Sequence, residues 1–339
     1  NYTNENLHVG QNNIKRESGN VYSEDDPFTD LENGDLSLSD ISDAIGAGTL
    51  SNSYNGVTIN APTTDITGVQ NSRPMPSGSN PDMGAIENAR SIRAAKTITV
   101  NQDGTGDFSE IQTAIDAVMD GDTVLVYAGT YTENVSLNKT IVLMSAEGAN
   151  STIIDANNFG TVVRITDGSD ATLDGFTLQN GYTSGSGTMS GGLIVLNNDA
   201  VIKNCIIKNN QGHQGGGIYT EGGSFYNCQI LNNTGEFEGG GIFTFGNNQL
   251  FENCLIANNH CGSGAGIAWG PIRLVNTTVV NNTGDDGLKS VGESTITNSI
   301  IYGNDGDEIG SFTATVTNSL VEGSYTGTGN IDSNPLFVD

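Results

Sequence analysis

Positive charge is what this sequence most lacks. Twelve Lys and Arg stand against 39 Asp and Glu in 339 residues, a formal net charge of −27. That balance excludes nucleic acid as a partner, because phosphates are held by Lys and Arg, and excludes an anionic membrane surface. No apolar run approaches the roughly 18 residues of a spanning helix, so no membrane insertion is expected. Tryptophan occurs once, and long helix-forming residues are few. The chain does not begin with Met and shows no signal peptide, which fits a mature or excised fragment. Its acidic, Asn/Gly/Thr-rich composition suits a secreted protein in salty or calcium-containing surroundings.

What is present is repetition. One phrase recurs seven times: LDGFTLQN, IKNCIIKNN, FYNCQILNN, FENCLIANN, LVNTTVVNN, ITNSIIYGN and VTNSLVEGS. Its anchors, Gly175, Asn204, Asn227, Asn253, Asn276, Asn298 and Asn318, are 29, 23, 26, 23, 22 and 20 residues apart. Such a period marks a solenoid. Between these phrases stand GGLIV, GGGIY, GGGIF, GAGIA and DGLKS, so each repeat holds at least two short strands and two turns.

Aligned on the anchor, the columns are simple. Three residues later the side chain is always aliphatic: Leu178, Ile207, Ile230, Ile256, Val279, Ile301 and Val321. One residue later it is small in every repeat but the first: Phe176, then Cys205, Cys228, Cys254, Thr277, Ser299 and Ser319. These two columns share an interior face by strand alternation. The apolar column two residues before the anchor joins them only if the anchor bends the chain, and Asn and Gly tolerate the left-handed conformation that does so. Stacking in parallel register at about 4.8 Å then gives an aliphatic ladder, an asparagine ladder at the anchors, and a cysteine ladder of small hydrophobes. A line of cysteines does not converge as zinc requires. Cys261 falls in a loop as a free thiol. The expected architecture is all-β, a right-handed parallel β-helix.

Three segments are expected: a tail over 1–90, a cap over 91–148, and coils over 149–339. In the tail, Asp65, Asp82 and Glu87 surround Arg73, read as a loop clamp with a calcium or ligand site as the alternative. With SDAIGAG and PDMGAIE, residues 37–87 resemble the C-terminal end of bacterial cell-surface β-helix proteins of the choice-of-anchor Q type, although SDAIGAG departs from the usual Ser-Pro. GNIDSNPLFVD at 329–339 is similar to GNVYSEDDPFTD at 19–30. The expectation is one unit of a tandem array, or a permuted domain whose tail caps its own last coil.

In the cap, Ser109 and Gln112 have the spacing of a capping box. Ile111, Ala114, Ile115 and Val118 have helical spacing, and a helix over an open stack covers its edges. This segment, with Gly129-x-Tyr131-x-Glu133, resembles the N-terminal cap of the pectate-lyase-like superfamily and of pectin methylesterases. That resemblance implies polysaccharide chemistry, yet the family's motifs are missing. Asn282-Thr283-Gly284-Asp285-Asp286 only echoes a polygalacturonase pair. His213 lies upstream of it, and Arg164, Arg273, Lys203, Lys208 and Lys289 form no obvious catalytic pair.

One constellation remains. Three residues past each Asn-Asn or Gly-Asn turn come His213, Glu236, Gly262, Asp285 and Asp307, with Glu238, Asp286, Asp305 and Glu308 beside them. Stacked carboxylates about 5 Å apart repel unless a proton or cation intervenes, and oxygen ligands favour calcium. Asp285, Asp286, Asp305, Asp307 and Glu308 are therefore candidate metal ligands. Glu236, Glu238, Asp285 and Asp286 are the catalytic candidates if the chain is an enzyme. A solvated acidic edge is the plain alternative. For ligand binding the candidates are His213 and the aromatics Tyr219, Phe243 and Phe245, read as outward, with Trp269 inward by parity. Packing beneath a loop is their plain alternative. The outward column Ile206, Leu255, Ile300 and Leu320 calls for a covering loop or subunit.

The leading expectation is a non-catalytic extracellular module, a rigid cell-surface or filament repeat that spaces, adheres or binds glycan. Its partners would be polysaccharide or copies of itself placed head to tail, and no cofactor beyond calcium is implied. The rival is a polysaccharide lyase or glycoside hydrolase acting at the loop edge.

Overall fold

The computed structural model of the chain describes residues 2–4, 21–23, 28–30, 32–54, 57–67, 74, 79–90, 92–185, 189–246, 249–290, 292–310 and 313–337. They fall into two compact units, Asn1–Lys96 and Thr97–Asp339.

The second unit is a parallel β-solenoid whose turns contribute to three sheets of ten, nine and seven strands. The aliphatic column stands in file: Leu178 pairs with Ile207, Ile207 with Ile230, Ile230 with Ile256, Ile256 with Val279, Val279 with Ile301 and Ile301 with Val321. The column two before the anchor forms the matching file in the ten-stranded sheet, where the Phe225 and Phe251 rings stack at 4.6 Å. Both columns are fully buried.

The corner between these two files is made by the backbone of the anchors. Asn204, Asn227, Asn253, Asn276, Asn298 and Asn318 all have φ between 50 and 55, and Gly175 has φ 82. Most residues lose about 1–2 kcal/mol in that conformation, whereas Asn tolerates it through its short polar side chain. A second left-handed corner falls on Asn180, Asn209, Asn232, Asn258 and Asn281.

Among the described residues, the asparagine ladder expected at the anchors is limited to one amide-to-amide bond, Asn227 Nδ2 to Asn204 Oδ1 at 3.2 Å. The buried ladder lies instead just past the second corner. Asn210, Asn233, Asn259, Asn282 and Asn304 point inward. Each Oδ1 from Asn233 onward accepts the backbone N–H and the side-chain N–H of the preceding rung. Each Nδ2 also donates to a backbone carbonyl, as Asn259 does to Ile230 O at 2.9 Å. Both amide protons of each ladder asparagine are thus bonded, which a buried Asn requires. At the last rung the backbone and side-chain N–H groups of Asn304 go to the Glu308 carboxylate.

The column one past the anchor is also more than packing. Cys228 Sγ donates to Tyr226 O at 3.3 Å and Cys254 Sγ to Glu252 O at 3.4 Å. Ser299 and Ser319 hydroxyls make the same bond two residues back at 2.9 Å. The column selects a small donor, so thiol and hydroxyl interchange. Burial pushes the Cys205 thiol up to about 12, which keeps that thiol a protonated donor. Cys261, expected as a loop thiol, is fully buried.

At the N-terminal side a helix spans Ile111–Ala117 and buries Ile111, Ala114 and Ile115. The expected capping box is not formed: Glu110 is the N-cap and makes no side-chain cap bond. The cap comes from a distant residue. Glu133 accepts the N–H of Ile111 at 2.9 Å and of Gln112 at 2.8 Å. At the other end Lys139 Nζ donates to Ile115 O, Asp116 O and Val118 O at 2.8, 2.9 and 2.6 Å. The two charges match the polarity of the helix termini. Gln112 instead bonds Ser136 through its side chain.

The first unit holds the antiparallel pair Phe28–Asp30 and Asp35–Leu38, the hairpin Ser51–Tyr54 and Val57–Asn60, and a small core of Leu38, Ala44 and Ile45. Arg73 lies outside the described residues. Its expected partners organise the loop backbone: Asp82 accepts Gly46 N and Asn88 N, and Glu87 accepts Asp82 N. Among the described residues of this unit, Arg93 and Asp43 form a buried Arg–carboxylate pair at 2.5 Å.

Candidate functional site

The candidate edge is built where the second corner ends. Strands Gln211–Gln214 and Thr234–Glu238 pair in parallel, with a register shift between Gly212 and Gln214. The shift sets His213 against two residues of the next coil. Its Nδ1 is 3.5 Å from Glu236 Oε2, and its ring stacks on Phe237 at 5.4 Å. Glu236 also accepts Gly185 N and Gln211 Nε2, both at 3.2 Å. The Gly185 hydrogen bond, ahead of that from Gln211, holds the Glu236 carboxyl below the usual range.

Further along, the carboxylates are engaged singly. Asp285 Oδ2 takes Lys289 Nζ at 2.7 Å and Gly264 N at 2.9 Å. Burial alone works to raise Asp285, but the Lys289 and backbone bonds outweigh it and its pKa is lowered. Asp286 accepts Asp307 N at 2.9 Å, yet burial dominates there and its pKa is raised. Asp305 accepts Gly284 N. Glu308 is turned inward to Asn304, and burial, with Glu322 beside it, pushes its carboxyl up to about 7. Among the described residues no three His, Cys, Asp or Glu side chains converge as a metal ion requires.

The aromatic candidates separate. On the outer face of the seven-stranded sheet, Tyr219 pairs with Phe243 and Phe243 with Ala268. Tyr219 and Phe243 do point away from the core, but they are buried in a second apolar cluster with Ile194 and Ala268, so neither is an open platform. Phe245 is exposed. Trp269 reverses its expected direction. It is in register with the inward Thr244, but its φ of 72 turns the side chain out and leaves it 40% exposed. The ring tilts on Phe243 at 6.0 Å and 47°, and the indole N–H is bound by the Glu238 carboxylate.

Trp269, Glu238, Asp285, Asp286 and Lys289 form one corner. Lys289 stands beside Ala268 in the adjoining strand. Its ammonium is held by Asp285, with Asp286 and Glu238 adding attraction, and its pKa is raised. Phe237, 55% exposed, escaped the sequence reading because the register shift that presents it leaves no periodic signal. His260, whose Nδ1 lies 3.0 Å from Thr283 Oγ1 on the same edge, was missed likewise.

The family described as right handed beta helix region matches residues 161–334. No curated protein matches the chain. Among solved structures, a pectin methylesterase variant in complex with a hexasaccharide is similar at 13% identity and TM-score 0.41, over 70% of this chain and 90% of that one. A pectin methylesterase from Aspergillus niger is similar at 14% and 0.39, over 70% and 85%. The A-module of a mannuronan C-5 epimerase from Azotobacter vinelandii is similar at 20% and 0.34, over 62% and 70%. No helix is long and apolar enough to cross a membrane among the described residues.

Proposed function

The chain belongs to the right handed beta helix family, and from that premise we propose a non-catalytic extracellular module that holds a glycan against the Trp269 corner. The observation that carries the reading is Trp269 itself. A bulky residue in the left-handed region costs on the order of 1–3 kcal/mol, and such strain gathers where a side chain is needed in one place. Here the strain presents an indole to solvent, and Glu238 and Phe243 fix its plane. A fixed, half-exposed ring is a stacking platform for a pyranose. Binding is favoured over catalysis by the fate of the four candidate carboxylates. Glu236, Glu238, Asp285 and Asp286 each already hold a donor of the protein. The cell-surface setting of this reading rests on the resemblance of residues 37–87 to choice-of-anchor Q proteins.

The chain has one tryptophan, so its fluorescence reports on this corner alone. Titration with a panel of polysaccharides is expected to shift that emission for at least one. By calorimetry, Trp269→Ala then weakens binding by roughly thirtyfold, the usual scale for an anchoring Trp, without changing thermal unfolding. Release of unsaturated or reducing ends that disappears in Asp285→Asn would replace this reading with the lyase or hydrolase.

A further inference from the structure

The corner around Trp269 also indicates which kind of sugar it takes. The ring is bordered by carboxylates: Glu238 bonds the indole, and Glu238, Asp285 and Asp286 share the neighbourhood of Lys289. An arriving uronate would place a carboxylate among these acids, on a chain of net charge −27. Like charges so placed repel, most strongly at low ionic strength.

The same corner already accommodates an ammonium. Lys289 Nζ sits 2.7 Å from Asp285 Oδ2, in a position set by its strand pairing beside Ala268. This is a primary amine held by a carboxylate of the same corner, supplied by the protein. Glu238 is placed to receive a second one, since only Oε2 of its two oxygens is used by the indole among the described residues.

We propose that the glycan held at this corner is an amine-bearing one, a chain of 2-amino-2-deoxyhexose units, with a pyranose face on Trp269 and an ammonium against Glu238. This rests on the glycan-binding reading and narrows it. Stacking supplies an attraction that any pyranose shares, while the charges choose among pyranoses. An exposed ion pair sets the scale of that choice, about fivefold.

The test uses the whole chain and four hexasaccharides at about pH 5.5, where carboxylates and amines are both charged. These are β-1,4-linked glucosamine, its fully N-acetylated form, neutral cellohexaose and oligogalacturonate. Expected are glucosamine binding at least about fivefold tighter than the N-acetylated hexamer, loss of that margin at high salt, and no oligogalacturonate binding. Glu238→Gln keeps an oxygen for the indole and is expected to cut the margin to about twofold or less, with emission unchanged in the free protein. Equal binding of the glucosamine, N-acetylated and neutral hexamers, abolished by Trp269→Ala, would overturn the amine preference and leave the platform standing. Tighter binding of oligogalacturonate would overturn it outright. Binding of none of the four would overturn both.

Discussion

Asn233 Nδ2 lies 3.0 Å from Asn259 Oδ1 and 2.9 Å from Ile207 O, and Asn259 repeats the pattern toward Asn282 and Ile230. Each interior amide is therefore partner to the coil on either side. Asn259→Ala strands the donors of Asn233 inside the rod. Unsatisfied buried groups cost about 1–3 kcal/mol each, so a loss of roughly 3 kcal/mol or more is expected in chemical denaturation. Asn258→Gly, one residue earlier at φ 57, keeps its conformation and should cost less than about 0.5 kcal/mol. Equal effects of the two would refute the division of labour.

Gln249 gives the opposite sign. It is 2% exposed, and neither amide atom has a hydrogen-bond partner among the described residues. Its counterpart in the next coil is Ile272, buried and apolar. Gln249→Leu should stabilise the protein by about 1–3 kcal/mol, read as a higher denaturation midpoint with an unchanged slope. A lower midpoint would show that the amide is needed.

The pH dependence of the C-terminal coils should run against the usual acid trend. Glu308 rises from 4.5 to about 7, chiefly by burial, with the Asn304 bonds opposing and Glu322 adding to the rise. A folded-state pKa above the unfolded one favours the folded state while the group is protonated, so stability falls as pH climbs from 4.5 to about 7. Glu236 and Asp285, both lowered, complete their stabilisation below this window. Hydrogen exchange in residues 300–321 should quicken across it, and Glu308→Gln should flatten the profile. In Glu322→Gln the upper end of the window should move down.

The capping helix depends on two residues outside it. Glu133→Ala removes the acceptor for two N–H groups and should cost about 0.5–2 kcal/mol. Far-ultraviolet circular dichroism would show the helical signal melting early. Ser109→Ala, at the position the local pattern favours, should change little. A larger effect at Ser109 would refute the assignment.

The apolar files were legible because strand period and anchor bend both leave marks in one sequence. The interior asparagines are equally visible as a recurring second Asn, but that column has the pattern of a turn marker, since position alone does not separate a solvated amide from a buried one. The Ser109–Gln112 pattern failed because Glu133, 22 residues away from Ile111, competes for the same N–H groups. Trp269 was misplaced because parity assumes extended backbone, and a single left-handed φ inverts it. His213 and Glu236 were brought together as the turn spacing implied, but Phe237 entered through a register shift that carries no periodic signal.

Because each interior asparagine serves only its immediate neighbours, rod length is a free variable of this architecture. Asn233 and Asn259 stand 26 residues apart. Excising one such interval sets Asn259 over Asn210 with the same donors facing the same acceptors. Lineages can then lengthen or shorten the rod by whole turns without redesigning its interior, and only the two ends resist such editing.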